Sequence, residues 1–404
     1  MNQFVHALER PRKIILMVNA GAAVDAVIDE LSKELESGDI IIDAGNSHYQ
    51  ETCRRMDLLK REKMHFVGAG VSGGELGALL GPSIMPSGDE GAYQKVKVYL
   101  ETIAAKDINQ GPCCTYVGRE GSGHFVKMIH NGIEYAEMQL LAECYSILKD
   151  QGKSNEEMAD TFSEWMKDQS SYLLGITIDI LRKKEGEAFL LDQVLDKAAN
   201  KGTGKWASAT IANSGEPATM IPAALFARYL SFFKEKRLQS EAIFSIERIT
   251  NNIAVDQLKE AYEFARTVNH HQGFSLIKRV SDQNGWHVNL SEIARIWTNG
   301  CIIKSDLMRK IAETPDYDDN LMFQAPWRSL LMKSHPSIQK VVIECIESQI
   351  HIPCFAEAIN YFHGIKIGHG SANLIQAQRD YFGAHGYKRK DDAEGSSHHS
   401  NWAG

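Results

Sequence analysis

The sequence predicts an α/β domain, then a large all-α domain and a C-terminal tail. Three observations carry this. β-Branched runs alternate with helical stretches between residues 13 and 71, long apolar periodicity takes over after about residue 120, and the chain turns polar and glycine-rich from about Gly368. Lys13–Val18, Asp39–Asp43 and His65–Val71 read as strands, with Ala22–Leu35 and Gln50–Glu62 as the helices between them. That βαβαβ order predicts a parallel sheet wrapped by helices, with ligands bound at the carboxyl ends of the strands. The loops at that edge are Asn19-Ala20-Gly21, Ala44-Gly45-Asn46 and Gly68 to Gly77. Apolar residues three and four apart predict long helices through Val126–Leu148 and Ser240–Val268, with breaks near Gly111-Pro112, Pro217 to Pro222, Pro315 and Pro353. The expected division is 1–120, 121–367 and 368–404.

A chain of 404 residues, 43% hydrophobic and 24% charged, can bury a large core, and no apolar run approaches the ~20 residues of a membrane span. Lys and Arg number 44 against 52 Asp and Glu, a net charge of -8, which disfavours nucleic acid as the main partner. An anionic ligand therefore needs a local cation cluster. Met1 to Arg12 contain no apolar targeting core, so a cytoplasmic location is expected. The 7 cysteines are odd in number and contain no C-x-x-C, which points to reduced, buried thiols rather than disulfides or a zinc site. No spacing typical of metal ligands is present.

Gly68-Ala69-Gly70-Val71-Ser72-Gly73 satisfies G-x-G-x-x-G, the pattern of a dinucleotide pyrophosphate loop. Its position argues against that role. It follows the third strand rather than the first, and no strand ending in an acidic residue comes about twenty positions later. The segment instead offers backbone amides and the Ser72 hydroxyl as a nest for a carboxylate or phosphate.

Gly121 to Tyr135, GSGHFVKMIHNGIEY, is the most informative stretch. On a helix Lys127, His130, Asn131, Glu134 and Tyr135 fall on one face, where apolar residues normally sit. Val126, Met128, Ile129 and Ile133 supply packing on the other faces. Lys127 and Glu134, two turns apart, can flank one small substrate as proton acceptor and proton donor. Asn200 to Trp206, NKGTGKW, places two lysines among glycines. Arg228 and Arg379 each sit beside aromatics that can fix a guanidinium for phosphate, with His385 six residues beyond Arg379.

Taken in order, GVSGGELGALLGPSIMPSG, KMIHNGIEY, LDKAANKGTGKW, LFARYL and LIQAQRDYFGAH resemble the decarboxylating 6-phosphogluconate dehydrogenases, from Phe4 to Trp402. The resemblance implies a Rossmann-type domain, an all-helical domain and a tail reaching into the partner subunit of a homodimer. It implies Lys127 as general base and Glu134 as general acid, acting on 6-phosphogluconate with NADP. Substrate contacts fall on Asn46, Ser72, Gly73, Gly74, His130 and Asn131, and phosphate contacts on Tyr135, Lys201 and Arg228, with Arg379 and His385 from the partner's tail. Val18, Asn19, Ala20 and Asn46 would face the cofactor. The resemblance also implies a chain that starts on the order of sixty residues late, about one βαβ unit. Asn19 and Leu76 replace a lysine and a glutamate usual in the family. Weakened cofactor binding is therefore expected, as in a truncated isoform that dimerises or binds sugar phosphate without turnover. A related enzyme acting on an unphosphorylated β-hydroxyacid fits less well, because Lys201, Arg228 and Arg379 supply phosphate-binding cations.

Overall fold

The computed structural model describes residues 1–199, 202–244, 246–314 and 320–403. Helix α1 (Asn2–His6) precedes β1 (Lys13–Leu16), α2 (Ala22–Leu31), β2 (Ile40–Asp43), α3 (Tyr49–Arg61), β3 (His65–Ser72), α4 (Gly74–Leu80), β4 (Ser83–Gly88) and α5 (Glu90–Ile103). The sheet order is β1-β2-β3-β4. The first three strands are parallel, in register Ile14–Ile41 and Ile41–Phe66. One face buries Ile14, Leu16, Ile41 and Phe66 under α2 and α3, while the other buries Ile40, Ile42, Val67 and Ile84 under α5. Burial on both faces explains why β2 and β3 read as largely continuous apolar runs, whereas β1 buries Ile14 and Leu16 and leaves Ile15 exposed.

The parallel expectation holds for β1 to β3, and the sheet gains a strand that the sequence reading did not include: β4 runs antiparallel to β3, with Ala69 opposite Pro86 and Ser72 opposite Ser83. Prolines hid this strand. Pro86 is in phase with Ile84 and Gly88, whose amides donate outward to Cys113 and Gly118 at 2.9 and 3.0 Å, so its missing donor falls on the sheet edge. Moreover, Gly68 to Ser72 form no loop. Their backbone is paired within β3, so only Gly73 and Gly74 leave the ladder.

Beyond Ser122 the chain is helical: α6 (Ser122–Asp150), α7 (Asn155–Trp165) and α8 (Tyr172–Arg182), then the hairpin β5 (Lys184–Glu185) and β6 (Ala188–Phe189). There follow α9 (Thr203–Ser214), α10 (Met220–Ser231), α11 (Lys234–Ile243), α12 (Val255–Asn284), α13 (Leu290–Ile296), α14 (Asp306–Ala312), α15 (Ala325–Glu347), α16 (Pro353–Ile365) and α17 (Ala372–Gly383). The predicted helix Ser240–Val268 is two helices, since α11 stops at Ile243 and α12 starts at Val255. In the gap, Asn251 donates to Ile147 O and Asp150, so a side chain anchors an irregular turn that hydropathy alone reads through. Helices α6 and α12 are the central pair. Both bury residues around much of their circumference, and one core joins Met85, Phe125, Ile129, Ile133, Phe274 and Trp297. The chain forms two compact units, Met1–Ile359 and Asn360–Gly404. All seven cysteines are free, and burial pushes the Cys113 and Cys114 thiols up to about 11 and about 12. These two are unreactive at neutral pH.

Candidate active site

Helix α6 starts against the sheet. A Cβ on Gly123 would stand 2.0 Å from Met85 O, and one on Gly70 would stand 2.5 Å from Lys127 Cβ, so both positions need glycine for backbone and helix to meet. Thr52 Oγ1 lies 2.7 Å from His124 Nδ1, and Ser87 Oγ donates to Glu120 O at 2.9 Å, fixing the first turn of α6 to α3 and β4. Lys127 is consequently delivered beside the carboxyl end of β3.

Of the predicted polar stripe, Lys127, His130 and Tyr135 are buried and Asn131 and Glu134 half-buried. Lys127 is 7% exposed and His130 is fully enclosed. Lys127 Nζ donates to Asn131 Oδ1 at 2.7 Å and lies 3.3 Å from His130 Nδ1. His130 Nε2 is 3.1 Å from Ser72 Oγ, its Nδ1 is 3.7 Å from Glu134 Oε2, and its ring meets Trp297 edge-on at 5.3 Å. No Lys127–Glu134 ion pair forms; the amine's hydrogen-bonding neighbours are neutral groups.

Burial controls the protonation states. It lowers the Lys127 amine from its ordinary value, with Glu134 and Cys301 opposing. It raises the Glu134 carboxyl, against the pull of Lys127 and Arg228. His130 is held well below the usual imidazole range by burial and then by Lys127. The site thus shifts an amine toward neutrality and a carboxyl toward its acid form, the direction general base and general acid require.

Around this pair the sequence-predicted residues divide. Asn46 joins Lys127 and Asn131 in lining one small pocket, together with Ser47, His124, Thr203 and Trp206. Gly73, at φ 122°, ends β3 where a Cβ would press on Gly300 O at 2.7 Å, and Gly74 opens α4 beside it. Tyr135 carries the Arg228 guanidinium over its ring at 3.6 Å, and that guanidinium reaches Ala199 O and Met138 Sδ. Among the described residues no carboxylate lies within ion-pairing distance of Arg228, which leaves its charge available to an anion. Lys201 lies outside the described residues. Arg379 and His385 belong to the second compact unit.

Val18, Asn19 and Ala20 form the exposed turn between β1 and α2, at the carboxyl edge of the parallel strands. An Arg55 network ties this turn to the loop bearing Asn46. Fully buried Arg55 donates to Asp25 Oδ1 at 2.8 Å, to Gly21 O at 3.1 Å and to Ser47 Oγ at 3.4 Å, while Ser47 donates to Asp43 Oδ2 at 2.6 Å. The sequence reading missed Arg55, Thr203 and Trp206. For the last two the signal was present in TGKW, directly after Gly202 in its left-handed conformation. Arg55 gave none, since ETCRRMD reads as a solvated helix face.

The profile described as "6-phosphogluconate dehydrogenase, C-terminal domain" matches residues 123–402, and "NAD binding domain of 6-phosphogluconate dehydrogenase" matches residues 1–118. The chain belongs to the 6-phosphogluconate dehydrogenase family. The decarboxylating 6-phosphogluconate dehydrogenase of Bacillus licheniformis is 45% identical over 403 residues, which is 97% of this chain and 86% of that protein. An NAD(+)-dependent, decarboxylating relative from Bacillus subtilis is 43% identical over 415 residues, covering 100% and 88%. The 6-phosphogluconate dehydrogenase of Plasmodium falciparum, solved in its apo form and with NADP+ and 6-phosphogluconate, superposes with a TM-score of 0.94 at 38% identity, covering 100% of this chain and 88% of that one. Family membership agrees with the Rossmann-like sheet and the large helical part.

Proposed function

We propose that this 6-phosphogluconate dehydrogenase oxidises and decarboxylates 6-phospho-D-gluconate to D-ribulose 5-phosphate and CO2 with NADP as hydride acceptor. The buried Lys127 amine, held by neutral partners on the same helix face as Glu134, whose carboxyl burial shifts toward the acid form, carries this reading. Ser72, Gly73, Gly74, His130, Asn131 and Asn46 surround the reacting carbons, and Tyr135, Lys201 and Arg228 take the phosphate. Neutral Lys127 accepts the proton of the C3 hydroxyl as hydride leaves C3, giving a β-keto acid. Lys127, now an ammonium, gives its proton to the C3 oxygen as the C1 carboxylate departs as CO2, and Glu134 then protonates C1 of the enediol while the hydroxyl on the former C3 returns its proton to Lys127.

The exposed turn at Val18 to Ala20 and the adjoining Asn46 loop suit the nicotinamide end of a dinucleotide, which supplies the hydride acceptor when bound. NADP is chosen because the Plasmodium relative was solved with NADP+, although the Bacillus subtilis relative uses NAD(+). The chain acts as a cytoplasmic homodimer divided at about residues 120 and 367. In support of a second copy, α17 exposes Leu374, Ile375, Tyr381 and Phe382 on one face, more apolar surface than a solitary helix keeps in water. The non-catalytic alternative is not favoured, because the acid–base pair is intact. The test is reduced-dinucleotide formation from 6-phosphogluconate, with NADP and NAD compared and binding followed by calorimetry. Binding of substrate and dinucleotide without turnover would overturn the reading.

A further inference from the structure

The second compact unit is built around one carboxylate. Asp380 is fully buried although the surrounding residues of α17 and the following segment are largely exposed. Its two oxygens accept four hydrogen bonds: from Gly386 N at 2.9 Å and His399 Nδ1 at 2.8 Å on Oδ1, and from Ser400 N at 3.1 Å and Trp402 Nε1 at 2.7 Å on Oδ2. A carboxylate with this many donors closes the chain end back onto α17 and is costly to replace. The same helix turn supplies a second tie. Gln376 Nε2 donates to Gly386 O at 2.5 Å, and Gln376 Oε1 accepts from Arg379 Nη1 at 3.2 Å.

Both ties converge on two cationic or protonatable side chains. Arg379 directly precedes Asp380, and His385 directly precedes Gly386, whose N–H and C=O are gripped by Asp380 and Gln376. Because Asp380 is saturated by its four donors, it does not neutralise Arg379, and among the described residues Arg379 has no ion-pair partner. We propose that Asp380, assisted by Gln376, is a positioning residue that preorganises Arg379 and His385 as a two-point clamp for the phosphate of a sugar phosphate. This rests on the substrate reading given above, extended to Arg379 and His385, for which the resemblance of LIQAQRDYFGAH implies phosphate contacts. A loop that carried the two groups without these ties would have to order itself on each binding event, at a cost in affinity.

The test compares the full-length chain with Asp380→Asn and Gln376→Met, by calorimetry with 6-phosphogluconate and with inorganic phosphate, and by turnover. Asp380→Asn is expected to raise KM for 6-phosphogluconate about tenfold while kcat changes less, and Gln376→Met to do the same more weakly. In an Arg379→Ala/His385→Ala background the Asp380→Asn effect should vanish. An equal effect in that background, or an unchanged KM, overturns the inference. If the unaltered chain neither binds nor oxidises 6-phosphogluconate, the substrate reading falls by itself. Inorganic phosphate then decides the clamp: weaker binding in Asp380→Asn upholds it and unchanged binding rejects it.

Discussion

Lys127 is a lysine stripped of water and left without a carboxylate partner, and that isolation has two measurable consequences. Lys127→Met should lower kcat about 10³-fold, since it removes the amine proposed to take the hydroxyl proton. It should also raise the melting temperature at pH 7. In the fold the amine binds its proton less tightly than in the unfolded chain, so its cost is greatest at low pH and is relieved as pH rises toward the ordinary lysine value. Glu134 titrates in the opposite sense, with a folded value above its ordinary one. Lys127 must be neutral, so turnover falls as pH drops through its lowered value. Glu134 must be protonated, so turnover falls as pH rises through its raised value. In a pH–rate profile Glu134→Gln, about 10²-fold slower, should lose the alkaline limb and keep the acid one.

At the scale of elements, the site depends on how closely α6 rides on β3 and β4. Gly70→Ala would drive a methyl into Lys127 Cβ and Gly123 O, so α6 must lift. Expected is a loss of turnover exceeding the loss of substrate affinity, because the base moves more than the phosphate contacts do; equal losses in kcat/KM and binding would argue against it. Arg55 performs the analogous task for the dinucleotide edge. Arg55→Met removes the cation beside buried Asp43 and one of the two arginines on Asp25, and should cost roughly 3 kcal/mol, read by denaturant unfolding. It should also weaken dinucleotide affinity by freeing the Asn46 loop.

For the whole molecule, Lys127 and Glu134 belong to one compact unit and Arg379 and His385 to the other. Coexpression of Lys127→Met with Arg379→Ala decides whether the tail serves its own chain or a partner. If the tail works in trans, mixed dimers contain one intact site, and total activity should recover to about a quarter of the unaltered protein. If it works in cis, no activity returns.

Periodicity and residue type determined much of this protein before any coordinates. The parallel β1–β3 run was legible because β-branched runs alternate with helical stretches and β2 and β3, buried on both faces, are largely apolar, and the Lys127 stripe because five polar residues occupied helical positions that normally carry core. The resemblance of LIQAQRDYFGAH marked Arg379 and His385. Only the tertiary structure showed that β4 is antiparallel, that the Gly68 to Ser72 backbone is taken up in the ladder with β4 rather than free to nest a ligand, and that Arg55 and Asp380 are enclosed. Those facts depend on which donors and backbones meet across long stretches of chain, and a charged residue in a polar run looks the same whether it is solvated or buried and saturated with hydrogen bonds.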